Sequence, residues 1–306
     1  MTAVERTSAA LDDLIETEAE LEHLATGFGF TEGPIWHPRD RYLLFSDIPR
    51  SLRRRWSEVG GAEEARRHTN RANGMTYDAL GHLVVCEHAT SRVVREAPDG
   101  SQEVLATHFR GKELNSPNDV VVAEDGSIYF TDPPYGRTDG PGADRERELD
   151  FQGVYRIAPG AAGEPQLLVA EDEFERPNGL CLSPDGATLY VDDTARGEVK
   201  AFAVAADGSL GGARVVASGI GPDPRRGSPD GIKCDALGNL WVTGPGGVWV
   251  VSPSGEHLGT VLVPEKAANL NWGGPGWNQL YVTASTSLYR IRTRIPGSPA
   301  SYMRLG

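Results

Sequence analysis

Six polar residues share one spacing in the chain and carry side chains that bind hard cations. Each lies 9 to 11 residues before an apolar five-residue segment. They are Glu32, Asn73, Asn118, Asn178, Asp230 and Asn271. Carboxylate and amide oxygens without a thiolate or an imidazole predict Ca²⁺, with Mg²⁺, Mn²⁺ and Zn²⁺ as alternatives. Any one Asn-Gly or Asp-Gly pair is also typical of a simple turn, so the hypothesis depends on a fold that gathers the residues.

The apolar segments repeat six times and predict such a fold. They read LLFSD from Leu43, LVVCE from Leu83, IYFTD from Ile128, LYVDD from Leu189, LWVTG from Leu240 and LYVTA from Leu280. Each has the composition of a buried strand, and turn glycines precede most of them. Further strand-like runs follow in each unit, so we predict an all-β, six-bladed β-propeller rather than a solenoid or a sandwich. Equivalent positions of the innermost strands would then converge on the propeller axis.

The domain organisation follows from the same repeat. We expect residues 1–306 to form a single propeller domain, with residues 1–20 as an N-terminal extension. Residues 9–23 are expected to hold a short helix and a strand that completes the last blade. The polar insertion over residues 137–150 is expected to be a loop near one face and a candidate pocket lid.

Composition narrows the class of partner. A formal net charge of -13 argues against nucleic acid and anionic membranes and favours a small neutral substrate. The start of the chain lacks the pattern of a secretory signal, and no apolar run approaches membrane length, so we predict a cytoplasmic protein. The three cysteines, Cys86, Cys181 and Cys234, lie in or beside apolar runs and are predicted to be buried free thiols.

A second set of polar residues ends four of the apolar segments: Asp47, Glu87, Asp132 and Asp193. If their strands return to the axis face, these acids either form the wall of a polar pocket or are solvated strand ends. His88 and the turn that carries Tyr135 lie beside them in the sequence, and His88 would either line the pocket or pack. The arginine cluster formed by residues 53–55 and 66–67 is predicted to be a solvated outer surface.

Several motifs together resemble the gluconolactonase family, which includes regucalcin, the senescence marker protein. They are FTEGPIWHP from Phe30, RANGM from Arg71, LNSPNDVVV from Leu114, YFTDPPYG from Tyr129, FQGVYRI from Phe151, RPNGLCLSPDG from Arg176, SPDGIKCDALGNLWVTGPGGVWV from Ser228 and NLNWGG from Asn269. The resemblance implies a divalent metal held by Glu32, Asn118, Asn178 and Asp230, with Asp230 also a general acid/base. Asn73 and Asn271 then become candidates for binding substrate hydroxyls. The senescence marker branch has an arginine where this chain has Ser116, so that contact does not carry over.

The resulting functional hypothesis is metal-dependent hydrolysis of a sugar lactone of the D-glucono-1,5-lactone type. The cation would polarise the lactone and activate water, with Asp230 as the catalytic residue. Because a bound cation makes a carboxylate a poor base, water on the cation assisted by Asp132 is an alternative. The predicted substrate-binding residues are Asn73, His88, Asp132, Tyr135 and Asn271. A metal-dependent phosphotriesterase and a non-enzymatic calcium-binding scaffold are the alternative functions, whereas the chain has no G-x-S-x-G motif of a serine hydrolase.

Overall fold

The computed structural model describes residues 3–139, 142–223 and 226–305. Within these ranges the chain forms 27 β-strands, and its helical segments are four short 3₁₀ turns. The turns are Ala9–Asp13, Ile48–Arg50, Tyr135–Arg137 and Ser301–Leu305. Six antiparallel sheets of at least four strands each confirm the all-β, six-bladed prediction.

The N-terminal half of the chain supplies the first three blades. It opens with two strands used elsewhere, β1 (Val4–Arg6) and β2 (Glu22–Thr26). Blade 1 comprises β3 (Thr31–His37), β4 (Tyr42–Asp47), β5 (Leu52–Ser57) and β6 (Gly61–Arg67). Blade 2 comprises β7 (Ala72–Tyr77), β8 (Leu83–Glu87), β9 (Arg92–Glu96) and β10 (Gln102–Ala106). A hairpin of β11 (His108–Phe109) and β12 (Lys112–Glu113) precedes blade 3, which comprises β13 (Val120–Val122), β14 (Ile128–Asp132), β15 (Gly153–Ile157) and β16 (Gln166–Leu167).

The C-terminal half supplies the other three blades. Blade 4 comprises β17 (Pro177–Leu182), β18 (Thr188–Asp193), β19 (Glu198–Val204) and β20 (Leu210–Ser218). Blade 5 comprises β21 (Ile232–Cys234), β22 (Leu240–Gly244), β23 (Gly247–Val251) and β24 (His257–Leu262). Blade 6 comprises β25 (Ala267–Gly273), β26 (Gln279–Ala284) and β27 (Ser287–Arg292).

The N-terminal strands complete the last two blades. β2 pairs antiparallel with β27 and becomes the fourth strand of blade 6. The sequence predicts a strand with this role within residues 9–23, and the observed strand begins at Glu22 and ends at Thr26. β1 pairs with the outer edge of blade 5, on β24, which the sequence does not predict. The innermost strand of each blade contacts that of the next, and β25 contacts β3. The ring is therefore closed by strands from both ends of the chain.

The core lies between neighbouring blades. The indole rings of Trp241 in blade 5 and Trp272 in blade 6 meet edge to face, with centroids 5.4 Å apart. Trp36 in blade 1 stacks on Tyr281 in blade 6. The repeated apolar segments are the second strands of the six blades, and their side chains are buried on both faces. The three cysteines are buried and free, as predicted.

The polar insertion after β14 folds over the β11–β12 hairpin. The guanidinium of Arg137 donates to the main-chain oxygen of Asn115 at 2.5 Å, and that of Arg145 donates to Glu113 at 2.6 Å. Residues 140 and 141 of the predicted lid lie outside the described residues. Among the described residues, no helix is long and apolar enough to cross a membrane.

Candidate active site

A cavity of about 430 Å³ lies where the innermost strands begin, on the propeller axis. Seven residues predicted for the site line it: Glu32, Asn73, His88, Asn118, Tyr135, Asn178 and Asp230. The four predicted metal ligands come from blades 1, 3, 4 and 5. Residues separated by up to 198 positions in the sequence therefore share one cavity.

Main-chain packing near the axis explains why these side chains converge. The amide of Gly74 donates to the main-chain oxygen of Asn118 in the next blade at 2.9 Å. A Cβ on Gly179 would lie 2.3 Å from the main-chain oxygen of Asp230, which only glycine permits. We call Glu32, Asn73, Asn118, Asn178, Asp230 and their equivalent in blade 6 the ring residues. The glycines that follow four of them, Gly33, Gly74, Gly179 and Gly231, let neighbouring blades approach closely.

Glu32 is held in a fixed orientation. Its Oε2 accepts hydrogen bonds from the amide of Gly33 at 2.7 Å and from Nδ2 of Asn269 at 2.9 Å. Burial, followed by the charge of Asp119, raises the pKa of Glu32 to about 7. The side chain is thus a buried carboxyl group in an environment that disfavours its ionised form.

Asp230 is also a buried carboxyl group whose ionised form is disfavoured. Burial, followed by the charge of Glu32, raises its pKa well above the ordinary value. Two carboxyl groups that are buried together and repel each other are stabilised in their ionised forms by a cation between them. The donor set also contains the amides of Asn118 and Asn178, and it has no thiolate. These residues therefore fit a hard divalent cation.

The amide of Asn178 is oriented by Thr194. Asn178 Nδ2 donates to Thr194 Oγ1 at 3.0 Å, and Thr194 Oγ1 donates to the main-chain oxygen of Pro229 at 2.7 Å. Because the hydroxyl proton is committed to Pro229, the hydroxyl oxygen accepts from the Asn178 amide nitrogen. The amide oxygen of Asn178 is therefore available for another partner.

Asn73 and His88 form a second polar group in the cavity. Asn73 Nδ2 lies 3.2 Å from Nε2 of His88, and both side chains are buried. Asn73 Oδ1 is buried without a hydrogen-bond partner among the described residues. A buried acceptor of this kind is costly unless a ligand satisfies it. Of the two predictions for His88, the structure places it in the cavity lining.

Tyr135 closes another side of the cavity. It begins the 3₁₀ turn after β14, and its hydroxyl is buried without a hydrogen-bond partner among the described residues. Burial raises the pKa of Tyr135 to about 12, so the hydroxyl stays protonated at neutral pH and can donate. The guanidinium of Arg176 lies 5.7 Å from the centre of the ring.

Sequence comparison identifies the family. The profile of the "SMP-30/Gluconolactonase/LRE-like region" matches residues 30–286. The chain belongs to this family. The resemblance seen in the motifs is thereby confirmed for most of the chain.

Several named proteins are similar to this member of the SMP-30/gluconolactonase family. A gluconolactonase of Zymomonas mobilis is 30% identical, with 95% of this chain and 86% of that protein covered. A pentonolactonase, XacC, of Haloferax volcanii is 27% identical, with 83% and 81% covered. The solved structure of a gluconolactonase from Xanthomonas campestris, XC5397, is 35% identical, with a TM-score of 0.86 and 95% and 94% covered.

Two predicted pocket residues of this family member lie elsewhere. Asp132 does not line the cavity; it is fully buried, and its oxygens accept hydrogen bonds from the amides of Asn115 and Ser116, both at 2.8 Å. Burial raises its pKa to about 7. Asn271 lines a different cavity and donates to the main-chain oxygen of Pro34 at 2.9 Å. Neither side chain therefore lines the cavity that holds the other predicted site residues.

The sixth blade presents Ala268 where the sequence predicts Asn271. The main-chain oxygen of Ala268 accepts from the amide of Gly231 at 2.8 Å, the same contact that Asn118 makes with Gly74. Blades 1, 2 and 4 have a β-bulge at the same place as blade 6, so the bulge is not what distinguishes it. The hairpin of blade 6 is longer: Trp272 pairs with Leu280, eight positions away, whereas Trp36 pairs with Leu43, seven positions away. Ala268 therefore lies 12 residues before Leu280, outside the spacing of 9 to 11 residues. Asn271 therefore lies three residues beyond the ring.

Sequence reasoning also missed several residues of the site. Asn269 begins the NLNWGG motif, but the motif gave no indication that its side chain donates to Glu32. Thr194 and Ser228 add hydroxyl groups to the lining, and Phe30, Ile48 and Pro49 form an apolar wall. Hydroxyl and apolar lining residues do not recur at the spacing of the acids and amides, so the sequence pattern does not indicate them.

The acids at the strand ends neither form a pocket wall nor contact solvent, the two arrangements that the sequence suggested. Asp47, Glu87, Asp132 and Asp193 are all at most 1% exposed, so they are not solvated. They are also absent from the cavity lining. Among the described residues, no group of three or more histidine, cysteine and acidic side chains is arranged to hold a metal, so a cation in the cavity depends on amide oxygens as well.

Proposed function

We propose that this protein hydrolyses the ester bond of sugar lactones with the help of a divalent cation, Ca²⁺ in the first instance. The single observation that carries the proposal is the convergence of Glu32, Asn118, Asn178 and Asp230 on one cavity. The names of the relatives, gluconolactonase and pentonolactonase, support a lactone as the substrate class.

The cation would be held by those four side chains. When bound, it supplies positive charge that polarises the lactone carbonyl and stabilises the negative charge developing on its oxygen. Neighbouring residues orient these ligands through hydrogen bonds. Gly33 and Asn269 donate to one oxygen of Glu32, and Thr194 accepts from the amide of Asn178.

Other side chains would bind and orient the substrate. The partnerless Asn73 Oδ1 can accept a hydrogen bond from a substrate hydroxyl, and the Tyr135 hydroxyl can donate one. His88, next to Asn73, can contact the same part of the ligand. The hydrophobic wall with Phe30 suits the C–H face of a sugar ring.

Asp230 would take the proton of the attacking water, with a basicity that the cation lowers. Asp230 lines the cavity. Asp132 does not, and both of its carboxylate oxygens accept hydrogen bonds from main-chain amides. The alternative in which Asp132 assists the water directly therefore loses its geometric basis. A general base has to reach the proton that it removes, and only Asp230 of these two acids borders the cavity.

The test is a pH-indicator assay with D-glucono-1,5-lactone after chelation and after addition of Ca²⁺, Mg²⁺, Mn²⁺ or Zn²⁺, with the spontaneous rate subtracted. Turnover is expected to require a cation. Glu32→Gln and Asp230→Asn are each expected to lower kcat/KM by at least about 100-fold, because each removes one of the two charged ligands of the cation.

The matched control is Asp235→Asn. Asp235 is also a buried carboxyl group, but its oxygens accept from Asn239 and Trp241 in a hairpin away from the cavity. This variant is expected to lower stability and to keep the kcat of the folded protein. Full activity in both site variants would refute the proposed site, and turnover of a phosphotriester but of no lactone would replace the proposed reaction.

A further inference from the structure

The buried acids at the ends of the second strands make one recurring contact. Asp132 Oδ2 accepts from the amide of Asn115, three residues before Asn118, and its Oδ1 accepts from Ser116. The contact joins the end of β14 to the chain that enters the same blade. Because β14 is paired on both sides, it offers a fixed anchor for that chain.

Blade 4 repeats this arrangement. Asp193 Oδ2 accepts from the amide of Glu175 at 2.7 Å, and Oδ1 accepts from that of Arg176 at 3.1 Å. Glu175 and Arg176 lie three and two residues before Asn178. The spacing is the same as for Asn115, Ser116 and Asn118.

Blade 1 makes the contact once. Asp47 Oδ1 accepts from the amide of Gly29 at 2.9 Å, three residues before Glu32, and Arg54 binds the other oxygen at 3.0 Å. Three of the four predicted metal ligands are thus preceded, at the same distance in sequence, by an amide bound to a buried strand-end acid. The fourth, Asp230, lies in a blade whose second strand ends in Gly244.

We propose that Asp47, Asp132 and Asp193 are positioning residues that set the main chain in front of Glu32, Asn118 and Asn178. The affinity for the cation then depends on three acids that do not themselves line the cavity. The proposal rests on the proposed function, since it concerns the same cation site. This role accounts for three buried acids that neither line the cavity nor contact solvent.

Blade 2 provides a natural control. Glu87 occupies the equivalent strand end, and it accepts from the side chains of Asn70, Thr90 and Arg92. The ring residue of this blade is Asn73, which is not among the four predicted ligands. Loss of the Glu87 carboxylate removes a buried acid of the same type without disturbing the chain before a ligand.

The experiment compares Asp132→Asn and Asp193→Asn with Glu87→Gln. An asparagine keeps the shape of the side chain, but its NH₂ group then faces a main-chain N–H, so one hydrogen bond is replaced by a repulsion. We expect the affinity for Ca²⁺, measured by isothermal titration calorimetry on chelator-treated protein, to fall about 10- to 100-fold in each aspartate variant. The Ca²⁺ affinity of Glu87→Gln is expected to stay within about threefold of that of the unaltered protein. This difference is well below a tenfold change in affinity, which corresponds to about 1.4 kcal/mol.

The outcomes separate the two proposals. Unaltered Ca²⁺ affinity in both aspartate variants, with lost affinity in Glu32→Gln, overturns the positioning role and leaves the cation site intact. Unaltered affinity in Glu32→Gln overturns the cation site itself. If an aspartate variant unfolds without Ca²⁺, the Ca²⁺ concentration at the midpoint of refolding replaces calorimetry, and a midpoint equal to that of Glu87→Gln overturns the proposal.

Discussion

Thr194 shows how one hydroxyl group can link two predicted ligands. It accepts from Asn178 and donates to the residue before Asp230, so it joins blades 4 and 5 beside the cavity. Because the Thr194 hydroxyl donates its one proton to Pro229, its oxygen can only accept from Asn178, so the NH₂ group of Asn178 faces it. Without the hydroxyl, the amide could rotate and present its NH₂ group to a cation.

We therefore expect Thr194→Val to weaken Ca²⁺ binding about tenfold, as loss of a group that orients a ligand typically does. Valine has nearly the same shape as threonine, so the fold should persist. Thr194→Ser keeps the hydroxyl and should bind Ca²⁺ as the unaltered protein does. Calorimetric titration measures both, and equal affinity of the valine and serine variants would contradict the orienting role.

At the level of single residues, the sequence predicts the ring well but not its last member. The five ring residues from Glu32 to Asp230 line one cavity because the spacing reports equivalent positions in equivalent blades. In the sixth blade the equivalent residue is Ala268, which a search for polar residues passes over. The hairpin between β25 and β26 is longer than that of blade 1, so the residue found at the expected spacing, Asn271, lies beyond the ring.

At the level of elements, the second strands were predictable and the short edge strands were not. A second strand is buried on both faces, so its apolar residues form a continuous run. β1 has three residues, of which one is buried, and therefore shows no pattern. Of the arginines predicted to form a solvated surface, Arg55 and Arg67 are exposed, whereas Arg53 is only 5% exposed.

Arg53 takes part in an ion pair that joins two blades. Its guanidinium in blade 1 donates to both oxygens of Glu96 in blade 2, at 3.0 and 3.3 Å, and Arg66 lies 2.6 Å from the same carboxylate. Burial alone would raise the pKa of Glu96, but the two arginines outweigh it and lower the pKa below its ordinary value of 4.5.

This shift predicts the pH dependence of a variant. Because the folded state lowers the pKa, the carboxylate stabilises the fold above about pH 4.5, and this contribution is lost as the pH falls through the folded-state value. Glu96→Gln is expected to cost about 1–3 kcal/mol at pH 7. The difference from the unaltered protein should shrink on acidification below about pH 4.

Urea unfolding at a series of pH values measures the effect. Glu103→Gln is the matched control, since Glu103 pairs with Arg95 at 3.0 Å but is 55% exposed. An exposed pair of this kind contributes about 0–1 kcal/mol. A cost for Glu96→Gln that is no larger than for Glu103→Gln, or that grows towards low pH, would show that the inter-blade pair does not stabilise the fold as described.

At the level of the whole molecule, the proposed cation site depends on the closed ring. β2 completes blade 6, and the innermost strands bring the predicted ligands from four blades to one cavity. In the unfolded chain Glu32 and Asp230 are 198 residues apart. A cation that needs both acids can therefore bind the folded ring far more tightly than the unfolded chain.

This difference in binding predicts a change in stability. At a free Ca²⁺ concentration 100 times the dissociation constant, the free energy of unfolding should rise by about 2.7 kcal/mol. For a domain of this size the melting temperature should then rise by roughly 5 °C. Glu32→Gln should lose most of this rise, whereas Asp235→Asn should melt lower but keep it, because Asp235 lies in a hairpin outside the cavity. Scanning calorimetry with and without Ca²⁺ measures all three proteins, and an equal rise in Glu32→Gln would mean that the stabilising cation binds somewhere other than the axis.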